Sequence, residues 1–187
     1  MVLRWRTTVS IAANDARSIA AHVDTLAADR GPAGAHAACA LVKLAYASPH
    51  HRSKIIQAGA LKPLVELLRD GAESGGGPGF SAVGAACQVV GVLAHDPGMA
   101  EIIVAAGASE PLVALLSTEA AAAAATAIQT LATNGVAFAP ALAPLQRLLA
   151  DGDDRARCAA GSALTALGAP KVRLESSKTS SRGSSAS

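Results

Sequence analysis

Apolar residues recur every three or four positions along most of this chain, the spacing that places them on one side of an α-helix. Two stretches, 55–68 and 103–116, show this pattern most clearly and align with each other residue by residue. A partial third copy occupies 144–149, and a degenerate copy surrounds Val23 and Leu26. The chain therefore contains an internal helical repeat.

A second helical pattern follows each of these copies, at 40–45, 89–94, 127–132 and 163–168. Neither helix of such a pair could bury its apolar side alone, whereas pairs stacked side by side form a continuous core. We therefore predict an all-α repeat domain over 17–169. Its approximate repeats are 17–48, 49–96, 97–133 and 134–169.

Prolines and glycines divide each repeat into helices. Ser48 and Asp96 each precede a proline, and we expect each to cap the start of a short helix. Gly59 and Gly107 should bend the chain sharply before the next helix, because glycine tolerates left-handed backbone angles. Gly71 is predicted to end a middle helix.

Several segments depart from the repeat. A glycine-rich insertion at 72–79 predicts a loop, and 134–140 has lost most of a first helix. Residues 1–16 are interpreted as a lead-in or cap, with an organelle transit peptide as the alternative. The serine-rich basic tail, 170–187, is predicted to be disordered, and its phosphorylation is a further hypothesis.

Residues 49–68 and 97–116 resemble the armadillo repeat, in which a short helix ends in an Ala-Gly-Ala-like bend before a Pro-Leu-Val-x-Leu-Leu helix. The resemblance extends over roughly 19–168 and is strongest in the middle. It implies a right-handed α-solenoid of about three to four three-helix repeats. It also implies a protein partner, bound in the concave groove formed by the third helices.

In armadillo proteins that bind extended peptides, such as importin alpha, asparagines on the third helices hold the peptide backbone, with tryptophans between them. The residues at the asparagine positions are Lys43, Val92, Thr130 and Ala166, and those at the tryptophan positions are Cys39, Gln88, Thr126 and Ser162. None is asparagine or tryptophan, so the resemblance implies a partner groove without nuclear-signal recognition. An ordinary solvated helix face is the alternative.

Composition narrows the choice of partner. Four of the 16 basic residues and one of the 14 acidic residues lie in the tail, so the remainder is close to neutral. Aromatic residues make up 2% of the chain. These features do not favour nucleic-acid binding, which uses basic surfaces and stacking aromatic rings. Although 51% of the residues are hydrophobic, no stretch approaches the roughly 18 apolar residues of a membrane span.

Cys39, Cys87 and Cys158 are widely spaced within helical patterns, and we expect reduced core thiols. That expectation places the protein in the cytoplasm, with the nucleus as an alternative. His36 and Cys39 are close enough on one helix to share a metal. A structural zinc site needs four converging ligands, however, and no second pair has that spacing, so no metal or cofactor is predicted.

The sequence also gives no support for catalysis. The glycine run at 75–79 lacks the lysine and the hydroxyl residue of a phosphate-binding loop, and no nucleophile elbow occurs. We therefore expect a monomeric, non-catalytic adaptor that binds a protein. The alternative is an armadillo fragment of a larger protein, such as a ubiquitin ligase or a motility-apparatus component. An enzyme is a more distant alternative.

Overall fold

The computed structural model describes residues 16–74, 82–96 and 98–168. The helices are α1 (16–28), α2 (Pro32–Ala47), α3 (Pro49–Gln57), α4 (Leu61–Ser74), α5 (Ala82–Leu93), α6 (Met99–Ala105), α7 (Ser109–Ala114), α8 (Ala121–Thr133), α9 (Leu142–Asp151) and α10 (Asp154–Ala166). Short 3-10 turns, Leu115–Ser117 and Ala139–Ala141, follow α7 and precede α9. These ranges contain no β-strand, which confirms the predicted all-α class.

The described helices form groups in which a short first helix leads to a second helix and then a third helix. The groups α3–α4–α5 and α6–α7–α8 contain all three. The second helices are α1, α4, α7 and α9, and the third helices are α2, α5, α8 and α10. Each third helix packs against the next one, α2 on α5, α5 on α8 and α8 on α10. Stacking of this kind is the solenoid arrangement that the repeat predicts.

The bends at Gly59 and Gly107 have the same structure in both full groups. The two glycines have φ angles of 78° and 85°, in the left-handed region that favours glycine. After Gly59, the Ala60 N–H donates to the Ile55 carbonyl over 3.3 Å, and the corresponding bond after Gly107 has the same length. This is the Schellman ending of a helix, so the predicted bends are confirmed.

One continuous core runs through the described groups, and it is built almost entirely from aliphatic side chains and alanine. Leu67 and Leu115, which occupy equivalent repeat positions, are 3% and 0% exposed. Alanine and glycine let the third helices approach closely. A β-carbon added at Gly91 of α5 would lie 3.4 Å from the Ala127 α-carbon of α8.

Asp96 does not cap α6, and that prediction is wrong. The helix begins at Met99, with Gly98 at its N-cap position in the left-handed region. The Asp96 carboxylate instead accepts two hydrogen bonds from Arg52 of α3, both of 2.7 Å. A charged guanidinium is a stronger hydrogen-bond donor than a backbone N–H. The Asp96 carboxylate therefore pairs with Arg52 and does not cap the helix. Ser48, by contrast, does cap α3, because its hydroxyl accepts a hydrogen bond from the His51 N–H.

Gly71 does not end its helix either. The helix α4 continues to Ser74, so the first residues of the predicted 72–79 loop are helical. Gly71 is buried, and a β-carbon at this position would overlap the side chain of Val83 in α5. Glycine is therefore used here for the close approach of two helices, a requirement that no local pattern reveals.

The last group lacks a full first helix, as predicted. A single 3-10 turn, Ala139–Ala141, stands in its place. Phe138, directly before the turn, is 2% exposed and contributes its ring to the core. Asn134 links this segment to the end of α5, because its side-chain amide donates to the Ala94 carbonyl over 2.8 Å.

The predicted thiol burial is correct in part. Cys87 lies in the core, Cys39 is partly buried against it, and all three cysteines are free. Cys158 is exposed on α10, so its assignment to the core is wrong. It occupies the side of α10 that faces solvent, while Ala156 and Ala160 face the core.

Some predictions fall on other parts of the chain. The tail at 170–187, the run at 75–79 and all but the last residue of the 1–16 lead-in lie outside the described residues. The repeat boundaries at 17–48, 49–96, 97–133 and 134–169 remain our proposed division.

Candidate protein-binding groove

The third helices form a cavity of about 270 Å³ on the side that they leave free. Its polar lining comes from all four third helices and the turn after α5: Tyr46, Gln88, His95, Thr126, Thr130 and Arg155. Its small and apolar lining comes from α5 and α8: Cys87, Gly91, Val92, Ala122, Ala123 and Ala127. We call these twelve residues the groove.

Four of the eight residues predicted for the partner site line the groove, and four do not. Gln88, Val92, Thr126 and Thr130 are the four that line it. Val92 is 3% exposed, so it contributes to the base of the cavity and offers little surface to a ligand.

The other four predicted residues lie on the two outer third helices of the described solenoid. Lys43 is exposed on α2, one helical turn before Tyr46, and Cys39 is half-buried on the same helix. Ser162 and Ala166 are half-buried on α10. The cavity therefore spans the centre of the predicted site and does not reach these positions.

Sequence reasoning missed three of the polar groove residues, Tyr46, His95 and Arg155. Tyr46 and His95 each stand three positions beyond a predicted asparagine position, so they lie one turn further along the same helix face. Extending the pattern by one turn would have found both. Arg155 lies in the first turn of α10, and its place beside α5 and α8 follows only from the stacking of the helices.

The hydroxyls of Thr126 and Thr130 already use their protons within α8. Thr126 donates to the Ala122 carbonyl over 2.8 Å, and Thr130 donates to the Thr126 carbonyl over 3.1 Å. Each oxygen keeps its capacity to accept a further hydrogen bond. The two threonines can therefore accept N–H groups of a ligand.

Gln88 is the groove residue with the most unused hydrogen-bonding capacity. It is half-buried on α5, and its amide makes no hydrogen bond with the described residues. An amide can donate and accept at the same time. Gln88 can therefore contact both the C=O and the N–H groups of a peptide backbone.

The charged lining of the groove is positive. Its charged residue is Arg155, which makes no ion pair with the described residues, and the imidazole of His95 also lines the cavity. No aspartate or glutamate is among the groove residues. Asp154 directly precedes Arg155 in the sequence, and its carboxylate is paired with Arg157.

The groove thiol is held in its neutral form. Cys87 is buried among apolar groups, and this desolvation raises the pKa of its thiol to about 12. A thiol with this pKa is protonated near neutral pH, whereas a nucleophilic cysteine reacts as the thiolate.

In the described ranges, no three His, Cys, Asp or Glu residues cluster as metal ligands would.

A second cavity, of about 550 Å³, lies between the second helices of the last two groups. It is lined by residues from α7, the turn after it and α9, and these include Leu116, Arg147 and Asp151. Its two charged groups have opposite signs. This cavity is the alternative to the groove as a candidate partner-binding site.

No single helix among the described residues has the length and the apolar character that a membrane span requires. One pair, Met99–Ala105 with Ser109–Ser117, meets the criterion by combined length and composition but is bent by 88°.

No protein-family model matches the sequence, and a comparison with curated proteins finds no relative. Solved structures do match. Computationally designed armadillo repeat proteins for modular peptide recognition share 26% identity with this chain, with a TM-score of 0.68. A designed armadillo repeat protein in complex with the peptide (KR)4 also shares 26% identity, with a TM-score of 0.65.

Another designed armadillo repeat protein is 25% identical to this chain, with a TM-score of 0.67. Each of these three alignments covers 79% of this chain and 63% of the designed protein, so the chain spans less than two thirds of their length. The matched region includes most of the described helices. Together with the stacked third helices and the repeated glycine bends, these similarities show that the chain has an armadillo-like repeat fold.

Proposed function

We propose that this chain is a non-catalytic adaptor that binds an extended segment of a protein partner in the groove. The observation that carries the proposal is the convergence of polar side chains from successive third helices on one cavity. Several of these side chains keep hydrogen-bonding capacity that the described protein does not use. A site of this kind suits a ligand with regularly spaced polar groups.

The spacing of the third helices supports an extended ligand. Packed helices lie about 10 Å apart, so four stacked helices span about 30 Å. An extended chain advances about 3.3 Å per residue, so roughly nine residues would cross all four helices. The stacked helices fix the backbone positions of these residues before the partner binds, which lowers the entropy cost of binding.

The hydrogen-bonding groups in the groove match those of an extended backbone. Gln88 can donate to a peptide carbonyl, and Thr126 and Thr130 can accept from peptide N–H groups. Such contacts do not depend on the ligand's side chains, so they would hold the backbone while nearby residues select the sequence. Gln88, which stands at a tryptophan position of the resemblance, would take the role that asparagine plays in peptide-binding armadillo proteins.

The structural neighbours support a binding role of this general type. One of them was designed for modular peptide recognition, and another is in complex with a peptide. An armadillo-like fold is a repeat-based scaffold for binding proteins, and we extend that role to this chain as a proposal. The identity of the partner does not follow from the neighbours, because the groove side chains are this chain's own.

The proposal can be tested by selecting ligands and then blocking the groove. Random dodecapeptides displayed on phage are selected on the intact chain, and the affinity of an enriched peptide is measured by fluorescence anisotropy. Thr126→Trp should weaken binding by about tenfold or more, because the indole would fill the cavity. The melting temperature should not change, since Thr126 is exposed.

Thr133→Trp is the matched control. Thr133 lies on the same helix, is also exposed, and donates its hydroxyl to the Gln129 carbonyl over 2.8 Å, yet it does not line the groove. This variant should bind the peptide within about twofold of the parent chain. If Thr126→Trp retained full affinity, the groove would not be the binding site.

A further inference from the structure

We infer that the segment bound in the groove is acidic. This inference rests on the proposed function and specifies the chemistry of the partner. Positive or proton-donating groups come from three third-helix segments, namely Lys43 on α2, His95 after α5 and Arg155 on α10. Two of them line the cavity, and no carboxylate does.

The carboxylates next to these groups in sequence are already paired elsewhere. Asp96 follows His95, and its two oxygens accept hydrogen bonds from Arg52. Asp154 precedes Arg155, and it is paired with Arg157. Asp96 also interacts electrostatically with His95, so the unopposed positive charge of the groove is that of Arg155, whose guanidinium has no ion-pair partner among the described residues.

An unpaired guanidinium that lines a cavity can bind an anion. Its planar donors match the two oxygens of a carboxylate, and such charge-assisted bonds are stronger than neutral ones. A basic ligand segment would be repelled by the same group. A body that is nearly neutral as a whole thus presents a locally positive groove.

Tyr46 refines the same site. Its side chain is 67% exposed at the α2 end of the groove, which is unusual for a large aromatic residue. An exposed tyrosine combines an apolar ring with a hydroxyl and often anchors a partner. An acidic segment with an apolar residue near its acidic positions would satisfy both Arg155 and Tyr46.

The test compares three labelled decapeptides that alternate threonine with glutamate, lysine or glutamine, each titrated into the intact chain by fluorescence anisotropy. The glutamate peptide should bind about tenfold or more tightly than the lysine peptide at low salt. Its affinity should fall as salt is added, because ions screen exposed charges.

Arg155→Glu should remove the preference for the glutamate peptide, while Arg147→Glu should leave it within about twofold. Both arginines are exposed and both variants change the net charge equally, but Arg147 lies on α9 outside the groove. A glutamate in the first turn of α10 favours the helix dipole, so Arg155→Glu should fold normally.

The other outcomes separate this inference from the proposed function. If the lysine or glutamine peptide binds as tightly as the glutamate peptide, and Thr126→Trp weakens it, the groove binds peptides but the partner is not acidic. The same holds if the glutamate peptide does not bind while a library-selected peptide does. If Thr126→Trp weakens no peptide, both the proposed function and this inference fail.

Discussion

Arg52 connects the end of α2 and the start of α3 to the turn after α5, which is distant along the chain. Its guanidinium donates twice to Asp96, after α5, and once to the Ala45 carbonyl in α2 over 3.2 Å. The two side chains of the pair are 14% and 23% exposed, which makes this ion pair better shielded than the others in the described residues. A shielded, bidentate pair contributes more to stability than a pair in open solvent.

The contribution of this pair should depend on pH. Hydrogen bonding to Arg52 lowers the pKa of Asp96 below its ordinary value, and electrostatic interactions with Arg52 and His95 act in the same direction. A carboxyl whose pKa is lowered in the folded state stabilises the fold above the pKa of the unfolded chain. This stabilisation disappears as the pH falls through the folded-state pKa.

Asp96→Asn should therefore lower the free energy of unfolding by about 1 to 3 kcal/mol at pH 7, measured by urea denaturation. The difference between the variant and the parent chain should shrink below about pH 4, as Asp96 becomes protonated in the parent chain. Asp154→Asn is the control, because Asp154 is 93% exposed and should cost less than about 1 kcal/mol. Equal losses for the two variants at pH 7 would contradict this role of Arg52.

At the scale of elements, the second helices bury equivalent leucines in successive groups. Leu67 of α4 and Leu115, in the turn that continues α7, are nearly inaccessible to solvent. Each lies one position before a further buried leucine, so the same stretch of helix faces the core in both copies. The residues that the sequence alignment pairs therefore occupy equivalent buried positions in the two groups.

Leu67→Ala and Leu115→Ala should each lower the free energy of unfolding by about 2 to 5 kcal/mol, because each leaves a cavity in the core. Chemical denaturation of the two variants and of Ile102→Ala provides the measurement. Ile102 is 44% exposed, so its truncation should cost much less. A near-neutral effect at both leucines would show that the alignment of the two groups is incorrect.

At the scale of the whole molecule, local patterns predict the helices, while contacts between distant segments decide several details. The bends at Gly59 and Gly107 depend on backbone angles that few other residues adopt, so the sequence reveals them. The prediction that Gly71 ends its helix is wrong, because glycine is needed there to avoid overlap with Val83 on another helix. Asp96 was misassigned because its partner, Arg52, is distant along the chain.

The groove shows the same limit. Gln88, Thr126 and Thr130 were predicted because they occupy repeated positions on the third helices. Arg155 occupies no such position and reaches the cavity only because α10 stacks on α8. The positive sign of the groove was therefore hidden in a sequence whose body is nearly neutral.

Hydrogen exchange of the intact chain, with and without a library-selected peptide, tests the central claim most directly. If the third-helix groove binds the peptide, exchange should slow in α5, α8 and the start of α10, and remain unchanged in α9. Slower exchange confined to α7 and α9 would place the peptide in the larger cavity between the second helices. That result would contradict the assignment of the groove as the binding site.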